Sequence, residues 1–461
     1  MQMSSSKGLY KRVIQLMIPI ALQNVITYLV GFTDNYMVGV LGDRPLAGTY
    51  AASQLQNILQ MLVIGLGAAI TILASQYWGK KDTESIKSIT VLALKFSVGA
   101  GLVFFIASLF FPAQILGIFT NDQGVLNEGL KFTYVIRYTY VFFCITQVLI
   151  SSMRSVERVK IGMNITIITF FVNLFFNWVF IYGHLGAPAL GVAGSAISTL
   201  IARIIETIIM VVYVRFIDDR LLLRFKDLFK SNAVFVKDFF KYGSPVILGD
   251  ILWGINLAVQ GLIIGRLGET AMASVSITNN VFSIMGVAVY GTAGASAIII
   301  GKTVGSGDYE RVKEYAKKLQ ILFLIMGIIS GSALFALKGL ILHFYNLSGN
   351  LSADTITMAT QFLIVLSITM VGTSYQMSTL TGIVRAGGAI YFVLVNDFIF
   401  VWFIVIPSAL IAQTVFHASP LIVFACLKSD QILKCAVAVV KVNRFNWIKK
   451  LTREPAKTVS A

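Results

Sequence analysis

Three acidic side chains lie inside long apolar runs of this chain with no basic residue three or four positions away. Asp34 sits in Gly31-Phe32-Thr33-Asp34-Asn35-Tyr36-Met37-Val38-Gly39, Asp250 in Pro245-Val246-Ile247-Leu248-Gly249-Asp250-Ile251-Leu252-Trp253, and Asp397 in Val395-Asn396-Asp397-Phe398. An ionisable group held at mid-membrane costs about 2.5–3.5 kcal/mol or more, so each is a functional candidate. Two further pairs have helical spacing: Asn173 with Asn177, and Ser195 with Thr199. Residues four apart share one helix face. Carboxylate, amide and hydroxyl oxygens together suit a hard cation. Taken out of water, the same carboxylate could carry a proton instead. The competing reading is that Asn, Ser and Thr only tie helices together by hydrogen bonds. For Ser195 and Thr199 the two readings weigh equally; for Asn173 and Asn177 a carboxylate in need of partners favours function.

Other chemistries find little support. Cys144, Cys426 and Cys435 are odd in number and show no CxxC spacing, which argues against a disulfide framework or a zinc site. Lys302-Thr303-Val304-Gly305-Ser306-Gly307 lacks the frame of a phosphate loop. No nucleophile–base arrangement or HExxH motif is present. The expectation is a protein that is not an enzyme and needs no cofactor beyond a coupling ion. Aromatic residues are 12% of the chain. They could hold flat organic cations by cation–π contact, although most such side chains on membrane helices face lipid or packing.

The elements that must position these residues follow from composition. Of 461 residues 57% are hydrophobic and only 13% charged, with mean hydropathy +0.81. Soluble domains carry about 25% charged residues, so a soluble globular protein and a disordered one are both excluded. A spanning helix needs about 20 mostly apolar residues. Twelve runs qualify, near 13–39, 51–76, 90–111, 131–152, 161–183, 190–214, 243–265, 275–300, 319–342, 357–379, 389–412 and 418–440. The net charge of +16 comes from 37 Lys and Arg against 21 Asp and Glu. Most of those basic residues fall in every second loop and at both ends, so the positive-inside bias puts both termini in the cytoplasm and no nucleic-acid partner is implied. The polar, basic start followed by an apolar run without a small-residue cleavage site reads as a retained first helix. In this arrangement the first and fifth spans run outward, and the sixth starts outside. Asp34, Asn173, Asn177, Ser195 and Thr199 then share a depth in the outer half.

The chain also repeats. An offset of 226 aligns Pro19 with Pro245, Gly39 and Gly42 with Gly265 and Gly268, Gly65 with Gly291, Gly79 with Gly305 and Asp82 with Asp308. An even number of spans per repeat means parallel halves, as in transporters whose lobes rock around a shared site. The expected architecture is all-α and polytopic, with an N-lobe at 1–214, a cytoplasmic linker at 215–242, a C-lobe at 243–440 and a cytoplasmic tail at 441–461. The offset places Asn24 opposite Asp250 and Gln260 opposite Asp34, so the lobes carry different polar equipment. Asp430 with Lys434, and Arg203 with Glu206, are spaced to neutralise one another. Arg137 and Lys428 lie deep in spans and have no account at this level.

These residues resemble the multidrug and toxic compound extrusion (MATE) family over essentially the whole chain. Pro19 with Asp34 to Gly39 looks like the family's first-span run. Gly79-Lys80-Lys81-Asp82 and Gly305-Ser306-Gly307-Asp308 look like its paired G-x-x-D turns, and Gly191-Val192-Ala193-Gly194-Ser195-Ala196 opens the sixth span as the family does. The resemblance implies a V-shaped pair of six-helix lobes in the cell (inner) membrane. It implies a monomer exporting cationic, lipophilic drugs or toxic compounds by antiport with Na⁺ or H⁺. It implies that Asp34 and Asn173 belong to a cation-coupling, Na⁺-binding site. Asn177 falls where one branch has a second Asp, so the site here has one charge fewer. Asp250 matches a seventh-span acidic residue implicated in cation and substrate handling. The family's turn after span ten reads Arg385-Ala386-Gly387-Gly388-Ala389, with Ala389 in place of an acidic residue, which leaves Asp397 as the remaining C-lobe carboxylate. The alternative is a flippase for lipid-linked saccharide or peptidoglycan precursor, which would need a cationic cavity; the carboxylates inside the spans point away from it.

Overall fold

The computed structural model describes residues 6–120, 122–229, 233–345 and 352–453. Of the expected linker and tail, 230–232 and 454–461 lie outside the described residues. Hydrocarbon leaves backbone polar groups no partner but each other, so continuous apolar runs fold as helices. The first half holds α1 (Ser6–Gly39), α2 (Asp43–Gly79), α3 (Thr83–Phe110), the short α4 (Pro112–Gly117), α5 (Gln123–Ile136), α6 (Thr139–Ser155), α7 (Lys160–Tyr182) and α8 (Val192–Val212). The second holds α9 (Ala233–Gly265), α10 (Glu269–Gly305), α11 (Tyr309–Tyr345), α12 (Ala353–Thr379), α13 (Ile390–Ile399), α14 (Ile406–Thr414), α15 (Pro420–Leu427) and α16 (Asp430–Asn443). There is no strand among the described residues.

Among the described residues ten helical stretches are long and apolar enough to span a bilayer, and α5 with α6, bent by 54° at Arg137–Tyr138, make an eleventh when the pair is counted as one span. The twelfth expected span, 418–440, does not run as one helix. It is α15 and α16, broken at Lys428–Ser429. Among the described residues three spans widen into π-helical turns, at Tyr213–Ile217, Leu380–Arg385 and Phe400–Val405.

The aspartates of the two G-x-x-D turns start helices. Ser85 donates from its backbone N to Asp82 Oδ1 at 3.0 Å and from its hydroxyl to Oδ2 at 2.6 Å, and the Arg311 backbone N donates to Asp308 Oδ1 at 3.1 Å. A carboxylate at this position satisfies a backbone N–H that the first helical turn leaves free.

The chain packs into two compact units. One holds Leu22–Ala74 and Asp82–Asp250; the other holds Met1–Ala21, Ser75–Lys81 and Ile251–Ala461. They are called here the Asp34 unit and the Asp397 unit. The borders fall inside α1, α2 and α9. The Asp34 unit buries Leu59, Val63, Ile136, Tyr140, Cys144 and Ala196 in one core. The first part of α9 belongs to it: Phe239 and Phe240 lie with ring centroids 6.2 and 4.8 Å from that of Phe96 on α3, and a Cβ at Gly65 would lie 2.9 Å from the Ile247 Cα. In the Asp397 unit, Phe362 stacks on Phe424 at 4.3 Å within a core that includes Ile263, Val405 and Ala409. The first part of α1 belongs to this unit. A Cβ at Gly291 would lie 3.1 Å from the Ala21 Cβ, and the Thr292 hydroxyl reaches Met17 Sδ at 3.0 Å.

Within the Asp397 unit the ends of α2 and α10 touch backbone to backbone. A Cβ at Gly79 would lie 2.0 Å from the Lys302 carbonyl oxygen, and one at Gly305 would lie 1.8 Å from that of Gln76. Gln76 and Lys302 are themselves 226 apart. The contact is therefore reciprocal, each repeat setting its glycine against the equivalent carbonyl of the other.

The segment after α16 packs on the same place. Trp447 is fully buried, its indole N donates to the Val442 carbonyl at 2.8 Å, and a Cβ at Gly387 would lie 2.2 Å from its ring. The Lys449 backbone N donates to the Gly387 carbonyl at 2.7 Å, and the Leu451 backbone N to Gln76 Oε1 at 2.8 Å. Much of the expected tail is thus a strap over the ends of α2 and the 385–389 turn. Trp447→Ala should cost about 3–5 kcal/mol, as for other buried aromatic truncations. The check is the thermal midpoint of detergent-solubilised protein, followed by size-exclusion chromatography after heating.

Candidate functional site

The strongest polar constellation forms where α1, α7 and α8 meet in the Asp34 unit. α7 ends at Gly183, which takes the left-handed conformation (φ 77°) that a side chain disfavours. The chain then folds back: the Leu190 and Gly191 backbone N–H groups donate to the carbonyls of Phe180 and Ile181 at 2.8 and 3.3 Å. Gly194 lets α8 approach closely, since a Cβ there would lie 2.4 Å from the Phe180 carbonyl oxygen. The Tyr182 hydroxyl donates to the Met37 carbonyl at 2.9 Å and fastens the end of α7 to α1.

This scaffold brings the polar side chains into one hydrogen-bonded row. Asn177 Nδ2 donates to Asp34 Oδ1 at 2.5 Å and to Asn173 Oδ1 at 3.2 Å, and Asn173 Nδ2 donates to Thr199 Oγ1 at 3.4 Å. Asn173 and Asn177 are buried, while Asp34 is half-buried. Ser195 is buried one turn before Thr199 and takes no part in the row. Arg203 lies one turn further along α8 than Thr199. It is itself paired with Glu206 at 2.5 Å and lies 5.2 Å from the Phe143 ring centroid.

One atom in the row stands out. Asn177 Oδ1 is fully buried and has no hydrogen-bond partner. A buried acceptor left unmade costs about 1–3 kcal/mol, so its presence beside an ionisable carboxylate is informative. A cation shared with Asp34, or a proton on Asp34, would supply what this oxygen lacks. Among the described residues no three His, Cys, Asp or Glu gather as a metal cluster. The row itself carries one carboxylate, which fits a monovalent ion or a proton better than a divalent cage.

The two other acidic candidates lie elsewhere. Asp250 is the last residue of the Asp34 unit; a Cβ at Gly65 of α2 would lie 3.4 Å from its Oδ2. Asp397 belongs to the other unit, where Lys434 Nζ lies 2.9 Å from Asp397 Oδ1 and 3.1 Å from Asp430 Oδ2. The spacing of Asp430 and Lys434 signalled their pairing; that Lys434 also reaches Asp397 depends on how α13 and α16 pack, which periodicity does not report. Arg137 occupies the bend between α5 and α6, 5.4 and 5.3 Å from the ring centroids of Tyr134 and Tyr138. Lys428 occupies the break in the last span, 5.6 Å from the Phe424 ring centroid and 5.8 Å from that of Phe282. Both unexplained cations therefore mark places where a span is interrupted. Gln76, the acceptor for the strap, carried no sequence signal.

Comparison with known proteins adds a lineage to this geometry. The MatE family model matches residues 19–179 and 245–411. A probable multidrug resistance protein NorM of Thermotoga maritima is 22% identical over 453 residues, covering 97% of this chain and 95% of that protein. The multidrug resistance protein NorM of Photobacterium profundum is 24% identical over 452 residues, covering 95% of each. Among solved structures, the Vibrio cholerae MATE transporter VcmN aligns with TM-score 0.86 at 16% identity, covering 97% of this chain and 99% of that one. An outward-facing multidrug resistance MATE family transporter aligns with TM-score 0.84 at 17% identity, covering 95% and 96%. At such identities the structural matches speak to the fold.

Proposed function

This chain belongs to the MatE family of membrane transporters, and from that premise we propose that it is a secondary active multidrug antiporter, exporting lipophilic organic cations in exchange for Na⁺ or H⁺. The names of its relatives support the efflux reading. The observation that carries the coupling is the buried, partnerless Asn177 Oδ1 next to Asp34. With Na⁺ in the site, Asp34 and Asn177 Oδ1 are its protein oxygens. With H⁺, the protonated Asp34 donates to that same oxygen. Either ion neutralises Asp34 and fills the open valence, so the row has two states that differ in charge and hydrogen bonding. A ligand shifts a conformational equilibrium only through such a differential interaction.

In the cycle we infer, an external Na⁺ or H⁺ enters the row from the outer half of the membrane. Its binding favours the state that releases the organic cation outward. The lobes at 1–214 and 243–440 exchange access around the substrate, and Asp250 and Asp397 supply negative charge for handling it. Both termini are cytoplasmic, and the protein works as a monomer in the cell membrane.

The test is ethidium efflux from cells or inverted vesicles with Na⁺ and pH gradients imposed separately. Efflux should follow at least one gradient; independence from both would refute antiport. Asn177→Asp adds a second carboxylate to the row. It should lower the half-stimulating Na⁺ concentration roughly tenfold, equivalent to about 1.4 kcal/mol, measured in the same vesicles.

A further inference from the structure

The Asp397 unit holds a charge arrangement that the coupling row does not explain. We propose that Lys434 is a specificity-determining residue, a tethered ammonium that a monovalent organic cation must displace from Asp397. The inference rests on the reading of the protein as an exporter of organic cations with Asp397 among its substrate-handling carboxylates.

The asymmetry of the three groups carries it. The side chains of Lys434 and Asp430 are 3% and 4% exposed, whereas that of Asp397 is 45% exposed. Asp430 is held from behind, accepting from Gln431 Nε2 at 3.0 Å, while Gln431 Oε1 accepts from Gln376 Nε2 at 2.9 Å. Lys434 thus has one fixed, buried partner and one partner at the edge. A carboxylate open to its surroundings within a span faces water or a cavity, since hydrocarbon would not tolerate it. If the ammonium leaves Asp397 it keeps Asp430, so no buried charge is stranded, which is what makes the breaking of buried pairs expensive.

Charge balance selects the ligand. The ammonium that leaves Asp397 carries one positive charge, and Lys428, two residues before Asp430, adds a second cation nearby. A monovalent cation on Asp397 replaces the departing charge one for one, a divalent one adds charge where two ammonium groups already lie, and an anion is repelled by Asp397. The ligand class is therefore a singly charged ammonium or phosphonium. The backbone points to the same place. The break at Lys428–Ser429 immediately precedes Asp430, and the π-helical turn at Phe400–Val405 begins three residues after Asp397. Irregular backbone at membrane depth is tolerated where it is buried in protein or lines a cavity, and interrupted helices build the binding sites of many transporters. The Phe400 ring centroid, 6.0 Å from Lys434 Nζ, offers a π face to whichever cation occupies the position.

The experiment is equilibrium binding of tetraphenylphosphonium to purified full-length protein in nanodiscs. The double variant Asp430→Asn/Lys434→Gln keeps the net charge and removes the tethered cation; it should bind about tenfold tighter. Lys434→Arg keeps the charge but grips carboxylates with a bidentate fork, and should bind about tenfold weaker. A structural role alone would lower thermal stability without moving affinity in opposite directions. Unchanged affinity in both folded variants overturns the proposal. If the double variant fails to fold, unchanged affinity in Lys434→Arg alone overturns it. Asp397→Asn separates the two levels: unchanged binding there refutes Asp397 as a substrate carboxylate, whereas lost binding there with no effect of the Lys434 variants refutes only the competitor.

Discussion

Asp34→Asn should lower ion-driven ethidium efflux at least about 100-fold, near 2.7 kcal/mol of lost driving interaction, while leaving protein in the membrane at wild-type abundance. The amide is nearly the same size and still accepts from Asn177 Nδ2, which reaches Asp34 Oδ1 at 2.5 Å. The packing of α1 on α7, held in addition by the Tyr182 hydroxyl on the Met37 carbonyl, is retained. What disappears is the only carboxylate in the row. Without it, no monovalent ion finds a counter-charge beside Asn177 Oδ1, and no proton is held there. Resistance of a drug-sensitive host carrying the variant, with membrane abundance measured by immunoblot, reads both halves of the expectation. Full resistance at full abundance would refute the role of Asp34.

A second large effect is expected at the crossing of α2 and α10. Gly305→Val places a Cβ where the Gln76 carbonyl oxygen lies 1.8 Å away, and Gly79→Val meets the Lys302 carbonyl at 2.0 Å. Both obstacles are backbone, so no side-chain rotation relieves them. Overpacking of this kind costs about 1–3 kcal/mol where neighbours can shift, and more where they cannot. Here the neighbour is also covered by the strap, through Leu451 on Gln76. Either variant should yield little monodisperse protein by fluorescence size-exclusion chromatography. Gly99→Ala is the matching control, since a Cβ there meets nothing within 4 Å. It should be neutral or stabilise by up to about 1 kcal/mol, the ordinary gain of Ala over Gly in a helix. Equal behaviour of Gly305→Val and Gly99→Ala would show that the crossing is looser than described.

These sites differ in how much the amino-acid sequence discloses. The helical class, the offset of 226 and the four-residue spacings on the fifth and sixth spans are local or periodic signals. They lead directly to Asp34, Asn173, Asn177 and Thr199, which the structure joins by hydrogen bonds. Ser195 shares the spacing but not the row, because one helix turn changes which neighbour a side chain meets. The G-x-x-D turns are visible as a motif. Their division of labour, glycine for close approach and aspartate for capping, emerges only when the crossing and the caps are seen together. Least visible are relations between spans distant in sequence. Lys434 with Asp397 is one, and Trp447 seated on the Gly387 turn is another. Neither has a period or a spacing, since both depend on the rotation of one helix against another. The break in the last span falls at the polar stretch Lys428-Ser429-Asp430-Gln431, where the helical spacing of Asp430 and Lys434 reads as one continuous helix.

The division of α1 and α9 between units bears on how such a molecule can be assembled at all. The unit built mainly from the second half takes in the chain up to Ala21, and the unit built mainly from the first half takes in α9 up to Asp250. Each half lends the opening of its first helix to the other, with Ala21 against Gly291 and Ile247 against Gly65. In these terms the protein is a domain-swapped dimer written on one chain. A half made alone lacks the piece that closes its own unit and leaves an apolar half-helix with nowhere to pack. In chain order, the opening of α9 up to Asp250 is the last piece that the Asp34 unit receives.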